Sequence, residues 1–292
     1  MNSNVWRWYL VAVVVVGQYY FVSAAGAFSN GTIYSALGVT AVVAMVAGIL
    51  IHRPRHSIAW VFVAIGLALF LAGDYVYADL AASQAFVPFP STADWFYLAM
   101  YPVLALGIVL LGRRLVPHRS WKAVGLGVLT AIATSGVLHL LYMGDYIAEP
   151  FFDTQMRVVA VAYPVLDAVM FGLAAWLVMT ACRQSPSLVM VALGLASMVV
   201  GNAVYNVQSI AGSFAAGGLA DLFWIAFAAL LGLACLHPSM KSSATSAISV
   251  KTRSRSVVAS ESALAAIDRR SRFDYPVISE PAHSASESRT RV

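Results

Sequence analysis

The chain has 292 residues, 60% of them hydrophobic and only 11% charged, with a mean hydropathy of +0.78 and a formal net charge of +5. Water-soluble domains carry about 25% charged residues, so a soluble globular fold is excluded and an all-α integral membrane protein is expected. The positive charge collects at helix ends and in the carboxyl-terminal tail, so it signals topology rather than a nucleic-acid surface.

A bilayer core of about 30 Å is crossed by about 20 apolar residues. Eight such runs occur, at residues 5–24, 32–51, 58–80, 93–111, 121–143, 157–182, 188–210 and 219–236. The first also admits a signal-peptide reading, because Ala25-Gly26-Ala27 has small residues where a cleavage site places them, but the run is long for such a segment. Arg7, Arg53, Arg55, Arg113, Arg114, Arg119, Lys122, Arg183 and Lys241 fall at the amino terminus, in every second connection and at the start of the tail. The alternate connections hold Arg157 with Asp79, Asp145, Glu149 and Asp153. Basic residues stay on the cytoplasmic side, so both termini are predicted inside. Cys182 and Cys235 sit at predicted cytoplasmic helix ends, and no disulfide is expected.

From Lys241 to Val292 the composition turns to Ser, Ala and Arg, with nine basic against five acidic residues. This predicts a disordered tail whose cations engage anionic inner-leaflet lipid. A short amphipathic turn around residues 262–273 is the alternative.

A repeat is visible at a spacing of 128. Gly66-Leu67-Ala68 recurs as Gly194-Leu195-Ala196, and Gly73-Asp74-Tyr75-Val76-Tyr77 as Gly201-Asn202-Ala203-Val204-Tyr205. After a slip of one residue, Ala93-Asp94-Trp95-Phe96 recurs as Ala220-Asp221-Leu222-Phe223, and Leu104 aligns with Leu231. Four helices per unit give two halves of the same orientation, about residues 1–115 and 116–240, related by an axis along the membrane normal.

Ionisable groups inside a membrane are costly and face the bundle interior. Asp74 falls in the outer half of the third helix, with Asn202 at the matching depth of the seventh. Asp94 and Asp221 open the fourth and eighth helices, and Asp167 lies nearer the middle of the sixth. Tyrosines accompany them at helical spacing: Asp94 with Tyr97 and Tyr101, Tyr163 with Asp167, and Asp74 with Tyr77, whose repeat counterpart is Tyr205. The Tyr101-Pro102 and Tyr163-Pro164 pairs place a proline inside a span, which frees a carbonyl and bends the helix. These ten residues define a predicted outward-facing, tyrosine-lined ligand pocket. The structural alternative makes the carboxylates acceptors for tyrosine hydroxyls or helix caps. The cap is preferred for Asp94 and Asp221, a pocket or proton-linked role for Asp74 and Asp167.

His139 reads as a packed or interfacial residue, because no partner stands at metal-ligand spacing. His52, His56, His118 and His237 read as interfacial. Gly217-Gly218-Leu219-Ala220-Asp221 lacks the Lys-Ser/Thr ending of a phosphate loop, and no span carries a core lysine for a Schiff base. No metal or cofactor is expected.

The combination "GDYVY", "STADWFYLAMYP", "YPVLD", "DLFW" and "LHPSM", in that order over residues 58–240, resembles the amino-terminal membrane-spanning region of actinobacterial GGDEF and EAL cyclic-di-GMP signalling proteins. The resemblance implies a sensor in a bacterial plasma membrane that acts on a cytoplasmic output. Only 52 residues follow Met240, and neither Gly-Gly-Asp-Glu-Phe nor Glu-Ala-Leu occurs, so the enzymatic output is not carried over and no enzyme is expected. Three functions are weighed: a sensor-like protein with a cytoplasmic partner and a possible homodimer; a small-solute or proton-coupled transporter built from two parallel repeats; and an intramembrane enzyme using Asp74 and Asp167 as an acid/base pair.

Overall fold

A computed structural model describes residues 4–22, 27–54, 57–115, 121–181 and 185–242. The Ala25-Gly26 step, His56, His118, Cys182 and the tail from residue 243 onward lie outside the described residues. Eight helices are long and apolar enough to cross a membrane, and no strand occurs among the described residues. They are α1 (Val5–Val22), α2 (Ala27–His52), α3 (Ser57–Ser83), α4 (Thr92–Leu115), α5 (Trp121–Ala148), α6 (Thr154–Ala181), α7 (Pro186–Ile210) and α8 (Leu219–Leu236), followed by the short α9 (Ser239–Ser242).

Helix α5 differs from the expected segment. The apolar run ends at Met143, but the backbone stays helical through Ala148, passing a five-residue π-turn at His139–Met143. Hydropathy drops at Gly144 and Asp145, whereas backbone hydrogen bonding continues: the Gly144 N–H donates back to the His139 carbonyl. The turn leaves His139 on the outside with Leu140, which is 85% exposed, while Tyr142 points inward.

Helices α2, α3, α4, α6, α7 and α8 share the main core, built around Trp60, Leu67, Tyr101, Leu104, Leu188 and Phe227. Helix α3 packs on α4, α7 on α8, α2 on α8, and α6 lies against α4, α5 and α7. Lipid removes the hydrophobic drive between helices, so close backbone approach through small residues replaces it. Gly127 and Gly172 form such a crossing between α5 and α6, where a Cβ added to Gly172 comes within 2.5 Å of the Gly127 carbonyl oxygen. The α3–α4 and α7–α8 pairs close in parallel ways: Gly66 faces Leu104 and Gly73 faces Tyr97, while Gly194 faces Leu231 and Gly201 faces Trp224. Pro102 and Pro164 both lie inside continuous helices; Pro102 is exposed and Pro164 buried. Helix α1 is peripheral and touches only α2 and α8 closely.

Candidate site: a tyrosine–carboxylate network across the helices

Helix α4 is the hub of the network. Asp94, Tyr97 and Tyr101 follow one another at three- and four-residue spacing and so share a face, yet each bonds to a different place. The Tyr97 hydroxyl donates to Asp74 Oδ1 on α3 at 2.8 Å. The Tyr101 hydroxyl donates to Asp167 Oδ1 on α6 at 2.8 Å. Asp94 Oδ1 accepts from the Tyr163 hydroxyl of α6 at 2.6 Å. Between α4 and α6 this makes two crossed rungs, Asp94 with Tyr163 and, deeper, Tyr101 with Asp167, separated by about 10 Å along α4 and about 6 Å along α6 at 1.5 Å per residue. The rings of Tyr101 and Tyr163 meet edge-on at 6.4 Å.

Asp74 is held from two sides, because the Tyr34 hydroxyl of α2 donates to its Oδ2 at 3.2 Å. Asp167 is fully buried. Its Oδ1 also accepts from Asn202 Nδ2 of α7 at 2.9 Å, and the same amide nitrogen lies 3.2 Å from the Tyr101 hydroxyl. Asn202 Oδ1 accepts from the indole N–H of Trp224 on α8 at 2.8 Å. One turn on, Asn206 donates to the Asn202 carbonyl and accepts from the Tyr146 hydroxyl of α5. Phe70 bridges the halves of the network, with its ring 5.9 Å from Tyr97 and 6.5 Å from Trp224.

The two carboxylates that open helices serve both purposes weighed from the sequence. Asp94 Oδ2 accepts from the Ser91 backbone N–H at 2.6 Å while the Ser91 hydroxyl receives the Ala93 N–H, a capping box. Asp221 Oδ2 accepts from the Gly217 N–H at 2.6 Å and from the Tyr20 hydroxyl of α1 at 2.5 Å. Gly217 adopts a φ of 80°, a left-handed conformation that glycine reaches without strain, and this aims its N–H at the carboxylate.

Of the ten predicted residues, seven therefore join across helices as Asp74–Tyr97, Asp94–Tyr163 and Tyr101–Asp167–Asn202. Asp221 is joined to Tyr20 instead. Tyr205 meets Phe214 edge-on and lies tilted against Trp224 beside the network, and Tyr77 is 44% exposed on the outer face of α3. None of the ten lines the open apolar groove of about 350 Å³ between α2 and α3, which is walled by Val42, Val46, Ile49, Val61, Ile65 and Ala68.

Tyr20, Tyr34, Tyr146, Asn206 and Trp224 were not singled out from the sequence. Trp224 carried a usable signal, since the repeat read from the sequence would set it opposite Tyr97 once the slip is applied. Tyr20 and Tyr34 carried none, because their carboxylates lie 201 and 40 residues away.

At the opposite end, Ser239 Oγ ties the exit of α8 to the start of α7 through the Ser187 N–H at 2.9 Å and the Ser187 hydroxyl at 2.7 Å, and it also meets His237 Nδ1 at 2.8 Å. His52 Nε2 lies 2.9 Å from the Leu236 carbonyl oxygen, joining α2 to the same exit. Burial, reinforced by the nearby His52, lowers the His237 pKa below its ordinary value. Among the described residues no group of three or more His, Cys, Asp or Glu is placed to hold a metal ion. No protein-family model matches the chain, and no curated protein or solved structure gives a significant match.

Proposed function

We propose that this multi-pass membrane protein is a sensor-like relay of the bacterial plasma membrane, with both termini cytoplasmic. A small or amphipathic ligand acts at the outer end, and a partner or the lipid surface is engaged at the inner end. The observation that carries the reading is the α4 hub, whose three polar side chains bond to α3 and α6 and, through Asp167 and Asn202, reach α7 and α8. Such a network has discrete bonded arrangements, which is what a coupled two-state element requires. The Ser239 and His52 contacts support an output at the inner end, since a shift of α2 or α7 moves the point where the chain leaves the bundle.

The resemblance to the membrane region of GGDEF and EAL proteins supports the same reading. So does the internal repeat, because Gly73 facing Tyr97 and Gly201 facing Trp224, with Asp74 and Asn202 bonded to those same two rings, are matching contacts in its two halves. No enzymatic activity is assigned to the chain.

Transport is the second reading, favoured by one observation: Asp167, the most deeply placed carboxylate, keeps one oxygen unbonded. Reconstitution into liposomes holding a pH-sensitive dye separates the two. The sensor reading expects proton flux equal to that of empty liposomes, together with a change in spin-label distance between the ends of α2 and α8 in Asp74→Asn and Asp167→Asn. Flux that disappears in Asp167→Asn overturns it in favour of transport, and unchanged distances in both variants overturn the relay.

A further inference from the structure

The carboxylates of the network are satisfied in two different patterns. Asp74 accepts one tyrosine hydroxyl on each oxygen, and Asp94 also uses both of its oxygens. Asp167 instead receives two donors on Oδ1, from Tyr101 and Asn202, and none among the described residues on Oδ2. A carboxylate has acceptor sites on both oxygens, whereas a carboxylic acid has one acceptor oxygen and one hydroxyl that must donate. Two donors on one oxygen and an empty second oxygen fit the acid form.

A proton on Oδ2 needs an acceptor, and a second unbonded buried oxygen lies on the neighbouring helix α5. The Tyr142 hydroxyl is likewise buried, with no hydrogen-bond partner among the described residues, and its ring is 1% exposed. It lies within electrostatic reach of Asp167. Tyr142 belongs to the π-turn of α5, which packs against both α6 and α7, the helices bearing Asp167 and Asn202. Single π-turns inside α-helices concentrate at functional sites, and this one rotates a single tyrosine inward while His139, Leu140 and Leu141 stay exposed. A buried polar atom left without a partner costs about 1–3 kcal/mol, so two on adjacent helices call for something between them.

We propose that Asp167 is a proton-binding site, with the proton held on Oδ2 and passed toward the Tyr142 hydroxyl oxygen through one bridging water. The proton comes from water, with hydronium and carboxylate giving water and the carboxylic acid. The groups facing the site are Tyr101 from α4, Tyr142 from α5 and the neutral Asn202 from α7, with Tyr163 one turn away on α6 itself; no Lys, Arg or His bonds to it among the described residues. Uptake or release of this proton changes what Oδ1 and Oδ2 ask of α4, α5 and α7 together, which is where the inference rests on the relay reading.

Infrared difference spectroscopy of the full chain in lipid, between about pH 5 and about pH 8, reads the proton without reading any signal. The expected result is a carboxylic-acid carbonyl band that shifts in heavy water, disappears in Asp167→Asn and moves in Tyr142→Phe. Absence of any Asp167-dependent band across the range overturns the site. If Asp167→Asn does not insert, Tyr142→Phe decides alone, and an unmoved band overturns the proposal. A relay that fails its distance test leaves this band intact, so the two ideas fail separately.

Discussion

Replacing Tyr101 by Phe removes one oxygen from the centre of the bundle while leaving the ring that packs in the core. That oxygen donates to Asp167 Oδ1 at 2.8 Å and lies 3.2 Å from Asn202 Nδ2. Asp167 keeps the Asn202 donor, so the loss is one bond to a buried polar group rather than complete abandonment, about 1–3 kcal/mol. Helix–helix hydrogen bonds in membranes measure lower by double-mutant cycle, averaging about 0.6 and reaching about 1.7 kcal/mol, and the full burial of both partners places this pair toward the top of that range. Tyr163→Phe provides the contrast, because Asp94 retains the Ser91 N–H and hydroxyl and so loses less. The assay is reversible unfolding of the purified protein in mixed micelles by added denaturing detergent, for Tyr101→Phe, Asp167→Asn and the double variant. A coupling of about 1–1.7 kcal/mol for Tyr101 with Asp167, exceeding that for Tyr163 with Asp94, is expected. A coupling indistinguishable from zero, or the reverse order, refutes the reasoning that the inner rung fastens α4 to α6.

Gly172→Ala drives a methyl into the Gly127 backbone and should cost about 1–3 kcal/mol as overpacking, seen in the same unfolding assay; a neutral result means the α5–α6 crossing is looser than drawn. Trp224→Phe removes the donor to Asn202 Oδ1 and should destabilise by about 1 kcal/mol, with the added effect of Asn202→Leu in that background smaller than in the wild type. Because burial holds the His237 pKa below its ordinary value, the folded form favours the neutral imidazole. Its contribution is therefore complete above the ordinary histidine value of about 6.5 and is lost as pH falls through the lowered value. Thermal stability should fall on acidification through that window, and His237→Gln should flatten the dependence; a slope of opposite sign contradicts the assignment. Asn202→Asp sets a second carboxyl against Asp167 and deletes its amide donor, so expression or stability should fall, whereas Asp74→Asn keeps an acceptor for a tyrosine hydroxyl and should be milder.

Helix number and placement were legible because eight apolar runs of membrane length are a strong signal, and all eight spanning helices begin or end within a few residues of those runs. The continuation of α5 beyond Met143 was not, since hydropathy records which side chains prefer lipid and not where backbone bonding stops. For the site, the polar residues were legible one by one, because a carboxylate or tyrosine stands out in an apolar segment. Their pairing was not. Spacing along α4 groups Asp94, Tyr97 and Tyr101 on one face, and that is correct, but it cannot say that Tyr97 turns to α3 while Tyr101 turns to α6. Those choices follow from how α4 is wedged between its neighbours, which no single helix encodes.

The clasp between Tyr20 and Asp221 has a consequence for how the protein is made. The two residues are separated by 201 positions, and chains are synthesised at about 5–20 residues per second, so Tyr20 enters the bilayer about 10 to 40 seconds before its carboxylate exists. Through that interval α1, which touches only α2 and α8 closely, has half its neighbours missing. The last spanning helix is therefore the one that fastens the first, and a ribosome stalled before residue 221 leaves α1 in lipid without the contact that ends its wandering.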